Sequence, residues 1–514
     1  MVLSLRDALV PLIVLLIAAR YVGNRSKGAS KFPLPPGPRG LPLLGTALSI
    51  DFTKPWATYV EWGASFGDLI YTRILNMDVL IVNSAKVARD LFELRSTNYA
   101  DRPRLATVKP YGIESGTIFM PYGDTWRLHR RIYHQALNSE AALNYRPMQL
   151  KKAHHMLLNL LDDPKRFPAH LYTYSSSIIV SIVYGYAPAP TNDPLVEFAK
   201  KGMAAIVKAA RPGTAALLKM FPFLLKLPTW MPGSFKAEAA EAKQYADDFR
   251  AIPYQMVKEK IASGTDAPSM MGNAIKHNET KGNSPEVTDA IKNTSSAAYG
   301  AGSDTTAFSL QVFILVMVLF PEAQRKAQEE IDCVVGRNRL PNFDDRSSLP
   351  YVEALMRESM RWHPVAPLVA HATTNEDVYE GMYIPKGVTI LVNSWAIAHD
   401  AKTYPEPFQF IPERFLKEDG TLTEDNVSYA FGFGRRVCPG KYAADASLWI
   451  AIVSLLASFS FSKEKDEQGN DIDIQPKFTP EATSRPEPFS CRIVARRSAS
   501  DTKEMVMQHL DQHS

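Results

Sequence analysis

The chain has 514 residues, 46% of them hydrophobic, 10% aromatic and 22% charged, an ordinary globular composition that excludes wholesale disorder and fibrous repeats. Its 58 Lys and Arg against 54 Asp and Glu leave a net charge of +4, too dilute over this length to argue for a nucleic-acid partner. Three cysteines, Cys333, Cys438 and Cys491, cannot form a disulfide framework for so large a chain, so reducing surroundings are expected for the main body.

Residues 1–31 read as an N-terminal membrane anchor with a basic flank. The uncharged apolar run at 8–19 is short against the roughly 20 residues a spanning helix needs, and its length also fits the core of a cleaved secretory signal. Yet no small-x-small cleavage site follows, and Arg20, Arg25, Lys27 and Lys31 all lie after the run, which holds that side in the cytosol. An uncleaved anchor is the preferred reading. Residues 32–40 carry four prolines in the six positions from Pro33 to Pro38, so they form a stiff extended hinge.

From 41 to 497 no second linker of that character occurs, and the body reads as one large domain. Most of it is helical in pattern. Residues 322–335 form an amphipathic helix with Pro321 in its first turn, and 349–362 form another that ends before Pro364. Strand-like runs occur at 69–74, 79–82 and 389–393. The polar stretch 263–285 reads as one exposed loop between helices, and 498–514 as a frayed polar tail. The fold class is mainly α with small peripheral β-sheets.

The most informative residues are Phe431-Gly432-Phe433-Gly434-Arg435-Arg436-Val437-Cys438-Pro439-Gly440. Glycines on both sides of the cysteine allow a tight turn that aims amide N–H groups at the sulfur. Those donors, Arg435, Arg436 and the N-terminus of the following helix are all expected to favour thiolate over thiol. A thiolate so placed is a nucleophile or a metal ligand; the bland alternative is a buried free cysteine. A dinucleotide-binding reading of the same glycines fails, because Val437 stands where the third glycine belongs and no βαβ pattern surrounds it.

These ten residues resemble the haem-binding loop of the cytochrome P-450 family, F-x-x-G-x-R-x-C-x-G, at every fixed position. The resemblance implies one large haem domain over 41–497, haem b as cofactor, and Cys438 as the thiolate ligand of its iron. Ala301-Gly302-Ser303-Asp304-Thr305-Thr306 lies in a long apolar segment at 288–320. Glycine and small polar residues weaken a helix there, so a local opening is expected. By resemblance Asp304 and Thr305 are the acid–alcohol pair that delivers protons during dioxygen cleavage. Trp126 and Arg130 match the family's W-x-x-x-R, and Arg436 is the arginine of the cysteine loop. His371 stands where relatives place a His or Arg, although Ala370 replaces the more usual proline before it. All four are implied partners of the haem propionates. Glu358, Arg361 and Arg414 resemble a structural triad that holds the cysteine loop. His129, His134, His154 and His155 lack metal-ligand spacing and read as surface or packing histidines.

The function implied is insertion of one atom of O2 into a lipophilic small molecule, resembling fungal enzymes of secondary metabolism. Electrons would come from a separate NADPH–cytochrome P-450 reductase, with cytochrome b5 as a further donor. The resemblance also implies a single-pass endoplasmic reticulum membrane protein whose catalytic domain faces the cytosol. Two alternatives stand beside it: a haem-thiolate isomerase or dehydratase needing no reductase, and a non-enzymatic haem-binding protein. Retention of the Asp304–Thr305 pattern favours the monooxygenase.

Overall fold

The computed structural model describes residues 30–512 apart from 43, 76, 190–192, 210 and 232–233. The expected anchor, but for its last two residues, lies outside the described residues. The proline-rich hinge is extended as expected, and it is fastened down. Pro36 accepts the Tyr71 amide at 3.0 Å and Pro33 the Tyr383 amide at 2.7 Å.

The helices that position the site are α1 (Asp124–Leu137), α2 (Arg146–Asp162), α3 (Phe167–Tyr184), α4 (Met270–Thr280), α5 (Pro285–Leu319), α6 (Pro350–Trp362), α7 (Lys441–Ser458) and α8 (Ala499–Gln512). Helix α5 is the axis of the fold and packs on α1, α3, α4, α6 and α7. Every residue from 310 to 318 is buried, so this part is covered on all faces, as expected of a central helix. Helices α5 and α7 are each long and apolar enough to cross a membrane, and in each 72% of the qualifying window is buried inside the fold. They are core helices.

Two polar stretches fold where none was expected to. Helix α4 occupies the middle of the supposed 263–285 loop: Ser269 Oγ caps it by accepting the Gly272 amide at 3.1 Å, while Met270, Met271 and Ile275 are buried. The polar composition hid a short apolar face. Likewise α8 replaces the expected frayed tail. Its residues Thr502, Val506 and Leu510, spaced by four, lie on one buried face against α2.

A four-stranded sheet flanks the helices. Strands β1 (Leu69–Ile74) and β2 (Met77–Val82) form a hairpin. Strand β3 (Leu368–Ala372) precedes a small ribbon of β4 (Asp377–Tyr379) and β5 (Met382–Ile384), and then comes β6 (Thr389–Asn393). The order is β1-β2-β6-β3, with β6 parallel to β2 and antiparallel to β3. Strands β7 (Phe459–Ser462) and β8 (Arg492–Ala495) pair separately. On β3, His371 stands opposite Ile390, and the Ala372 amide bonds the Asp101 carbonyl at 2.9 Å. That bond brings residues 98–102 to the strand that carries His371.

Candidate active site

The cysteine loop is built from two short turns, Ser428–Phe431 and Gly434–Arg436, that lead into α7. The Cys438 amide bonds back to the Phe431 carbonyl at 2.8 Å. Gly434 has φ 57°, and a Cβ there would lie 1.8 Å from the Phe92 carbonyl oxygen, so only glycine lets the loop approach this closely. Phe92 in turn packs on Phe433 and, at 4.5 Å between ring centroids, on His371.

Burial is the largest influence on the Cys438 thiol and pushes it up; the Gly440 amide, Arg130 and Lys441 pull it down. The loop amide and nearby cations thus act in the expected direction, and burial opposes them. The arginines expected to help are engaged elsewhere. Arg435 bonds Ser96, Thr97 and Tyr122, and Arg436 bonds the carbonyls of Ala100, Thr117 and Met120 at 2.7 to 3.2 Å.

Around this loop lies a half-buried cluster of cations. From α1, Arg130 Nη1 donates to the Val437 carbonyl at 2.9 Å. Trp126, one turn earlier, lies under two guanidiniums, Arg130 at 5.7 Å and Arg436 at 4.7 Å. His371 is 2% exposed, and its Nδ1 has no partner. Burial, helped by Arg102 and Arg436, holds its imidazole well below the usual range, so it is neutral. Arg102, which the sequence reading missed, donates Nη1 to the Ala370 carbonyl and leaves Nε without a partner. Burial lowers Arg102 to about 10 and Arg436 to about 9, and depresses Arg130 as well. Asp101 is the one carboxylate that acts on Arg102 and Arg436, and its Oδ1 already accepts the Tyr122 amide.

Such a surplus of partly buried positive charge favours an anion that joins it. Haem brings two propionates and an iron that takes a thiolate. The orphaned nitrogens of Arg102 and His371, the clustered guanidiniums and the buried Cys438 fit both parts of that group.

The Asp304–Thr305 pair sits on α5, which packs against α7; among the described residues no hydrogen bond or ion pair joins it to the cysteine loop. The expected opening at Gly302 is absent, because α5 runs unbroken from Pro285 to Leu319. Instead, Gly302 lets α3 come close. Its carbonyl accepts Ser175 Oγ at 2.9 Å, and a Cβ would lie 2.8 Å from Ile179. Hydroxyls do bond back along the helix, Ser303 to Tyr299 and Thr305 to Ala301, both at 2.9 Å. Burial pushes the Asp304 carboxyl up to about 6, against the pull of Arg485.

Glu358, Arg361 and Arg414 meet as the triad. Arg361 grips Glu358 through Nε at 2.6 Å and Nη2 at 2.8 Å, and Arg414 Nε adds a contact at 3.2 Å. His129 is fully buried beside Thr117, with Nδ1 2.9 Å from its hydroxyl, and no metal-binding group of His, Cys, Asp and Glu occurs among the described residues.

The family model for Cytochrome P450 matches residues 35–491. Cytochrome P450 monooxygenase COX1 of Coprinopsis cinerea is 38% identical over 500 residues, covering 95% of this chain and 96% of its own. Cytochrome P450 monooxygenase claR of Ampulloclitocybe clavipes is 35% identical over 97% of this chain and 92% of its own, and Cytochrome P450 monooxygenase 98 of Postia placenta 36% identical over 94% of both. With the mainly helical fold and the cysteine loop in its cationic setting, these matches identify the chain as a member of the cytochrome P450 family, a haem-thiolate monooxygenase.

Proposed function

We propose that this monooxygenase uses Cys438 as the haem ligand and inserts one oxygen atom into a lipophilic small molecule, a secondary metabolite. The observation that carries the assignment is the cluster of half-buried Arg102, Arg130 and Arg436 with buried His371 around the cysteine loop, with Asp101 acting on Arg102 and Arg436. Haem held by a thiolate supplies the activation of dioxygen. The chain's own residues do the rest. Arg102, Arg130 and Arg436 hold carboxylates, Trp126 braces two of the guanidiniums, and His371 adds an imidazole nitrogen. Cys438 gives up its proton on binding.

Thr305 and Asp304 handle protons. The Thr305 hydroxyl is fixed by donating to the Ala301 carbonyl, and its lone pairs remain to order a water. A carboxyl near 6 exchanges protons readily at neutral pH, which suits Asp304 to relay them from solvent. The lipophilic substrate is supported by an apolar cluster that joins Tyr111 and Ile113 to Leu218.

Electrons would come from a separate NADPH reductase, with cytochrome b5 as a second donor. Arg127, Arg131, Arg435 and Lys441 offer it a basic docking surface. The anchor at 1–31 would hold the enzyme on the cytosolic face of the endoplasmic reticulum. Phe223 and Trp230, 56% and 78% exposed, would add an apolar contact with the same membrane.

Cys438→Ala should abolish the red-shifted ferrous–CO absorption band, while Cys333→Ala and Cys491→Ala keep it; a band retained by the first variant overturns the ligand assignment. Thr305→Ala should load haem and bind substrate normally yet lose coupling, giving more peroxide and less product per NADPH. Thr305→Ser should fall between the two. Peroxide and product measured in the same reactions decide it, and unchanged coupling would remove Thr305 from proton delivery.

A further inference from the structure

The segment 478–485 is pinned where it passes α5. The Ser484 amide bonds the Val365 carbonyl at 2.7 Å, and Ser484 Oγ lies 3.0 Å from His363 Nε2 and donates to the Thr479 carbonyl at 2.8 Å. Phe478 stacks on the His363 ring at 3.5 Å between centroids. The next residue, Arg485, has its own amide on Thr479 Oγ1 and its guanidinium 5.1 Å from the centre of the Phe308 ring. Phe308 is four residues beyond Asp304 on α5, so the two lie on one helix face. No carboxylate or carbonyl takes the guanidinium's N–H groups among the described residues, and Arg485 is exposed.

We infer that Arg485 is a positioning residue for Asp304: held over Phe308 by a pinned loop, its cation stands at the wet side of the carboxyl and sets how readily it takes and releases protons. This rests on the assignment of Asp304 as the proton relay. The physical argument is one of strength. A carboxylate clamped like Glu358 has both oxygens taken up by Arg361, Arg414 and the Ile411 amide. An exposed, stacked guanidinium biases the carboxylate through space and leaves its oxygens open to water. The other groups that bear on Asp304 are Glu481 from the same loop, Tyr172 from α3 and Tyr299 from α5. Lys200 and Glu197 lie beyond Tyr172, Lys200 at 5.7 Å from its ring. Of these, only Glu481 and Arg485 act on the carboxyl as charges, and they act in opposite directions.

That opposition gives the test. The Asp304 titration is followed in the full-length enzyme by pH-difference infrared spectroscopy of the carboxyl band, with Asp304→Asn subtracted, alongside the pH profile of product formed per NADPH. Arg485→Gln should raise both midpoints by about half to one pH unit, Glu481→Gln should lower them by a similar amount, and Arg485→Lys should restore most of the first shift. The ferrous–CO band reports folding, and substrate affinity, read from the substrate-induced spectral shift, should stay within about twofold. Should Arg485→Gln weaken substrate binding tenfold with the midpoints unmoved, the arginine holds an anionic substrate group and the inference is overturned. Equal, same-signed shifts for the Arg485 and Glu481 variants would mean a merely structural role and overturn it too. If Asp304→Asn leaves coupling unchanged, the relay assignment falls and takes this inference with it. If Asp304→Asn uncouples but Arg485→Gln moves nothing, only the inference falls.

Discussion

The arginines of the triad and those around the cysteine loop are opposites, the first centred on a fully buried guanidinium and the second half-buried. In the triad Arg361 is fully buried, and all five of its N–H groups are placed: two on Glu358, the others on the carbonyls of Ala398, Pro407 and Gln409. Glu358 is equally saturated, taking Arg361, Arg414 and the Ile411 amide. Around the cysteine loop, Asp101 is the carboxylate that acts on Arg102 and Arg436, Arg102 and Arg130 both repel Arg436, and Arg102 Nε and His371 Nδ1 are left without partners. A buried charge that the chain satisfies by itself is scaffold. Arg414 Nη2 lacks a partner too, so the difference lies in the ion pairs: Glu358 meets two arginines directly, whereas among the described residues no carboxylate bonds Arg102, Arg130 or Arg436, and such charge marks where an anion can bind.

The comparison breaks most violently at the triad. Glu358→Gln strands two buried guanidiniums, and removing one partner of such a pair costs about 3–5 kcal/mol. The variant should accumulate as misfolded or haem-free protein, with a large fall in melting temperature of whatever folds. If its stability is within experimental error of the parent, the triad is not the scaffold described above. The cradle should respond in the opposite sense. Arg102→Gln deletes a cation from a group with too many, so the haem-free protein should melt within a few degrees of the parent. Its haem affinity should drop about tenfold, the loss of one charge-assisted bond, read as faster haem transfer to an excess of acceptor protein. A variant that unfolds but keeps haem tightly would reverse the assignment of the two regions.

Much of this was legible in the sequence, and what was not has a physical reason. Cys438, its glycines and the helices at 321–334 and 350–362 are local patterns: fixed spacing, proline at the first turn, an unmistakable turn signature. The hairpin strands were legible as short strand-like runs, the second a continuous apolar stretch. Arg102 was not, because its role comes from the bond between Ala372 and Asp101, 271 positions apart in the chain, which no local pattern announces. Helices α4 and α8 were lost to their polar composition, although the four-residue spacing of Thr502, Val506 and Leu510 was there to be counted. The intact α5 teaches the same lesson in reverse. Glycine and hydroxyl residues weaken a helix in isolation, but contact with α3 over Gly302 outweighs that local preference.

The smallest effect sharpens the contrast through a pair of buried imidazoles. His371 in the cradle has an orphaned nitrogen, whereas His363, next to the triad's helix, is satisfied by Ser484 and stacked on Phe478. Since Ser484 Oγ donates to the Thr479 carbonyl, the proton between Ser484 and His363 belongs to Nε2, and burial favours the neutral ring. Burial depresses the folded value of His363 to about 3 from an ordinary 6.5. Between those two pH values the unfolded chain binds a proton that the folded one does not, so stability is full above pH 6.5 and declines as pH falls. At pH 5 the decline from this residue is about 2 kcal/mol. His363→Phe keeps a ring against Phe478 and leaves Ser484 bonded to Thr479, but loses the Nε2 bond, worth about 1 kcal/mol at any pH. The variant should therefore melt below the parent at pH 7 and above it near pH 5, while His129 and His399, both lowered to about 4, contribute the same acid sensitivity to each protein. Melting temperatures that keep the same order at both pH values would mean that His363 is protonated in the fold, and that the scaffold side of the comparison is less self-sufficient than its hydrogen bonds indicate.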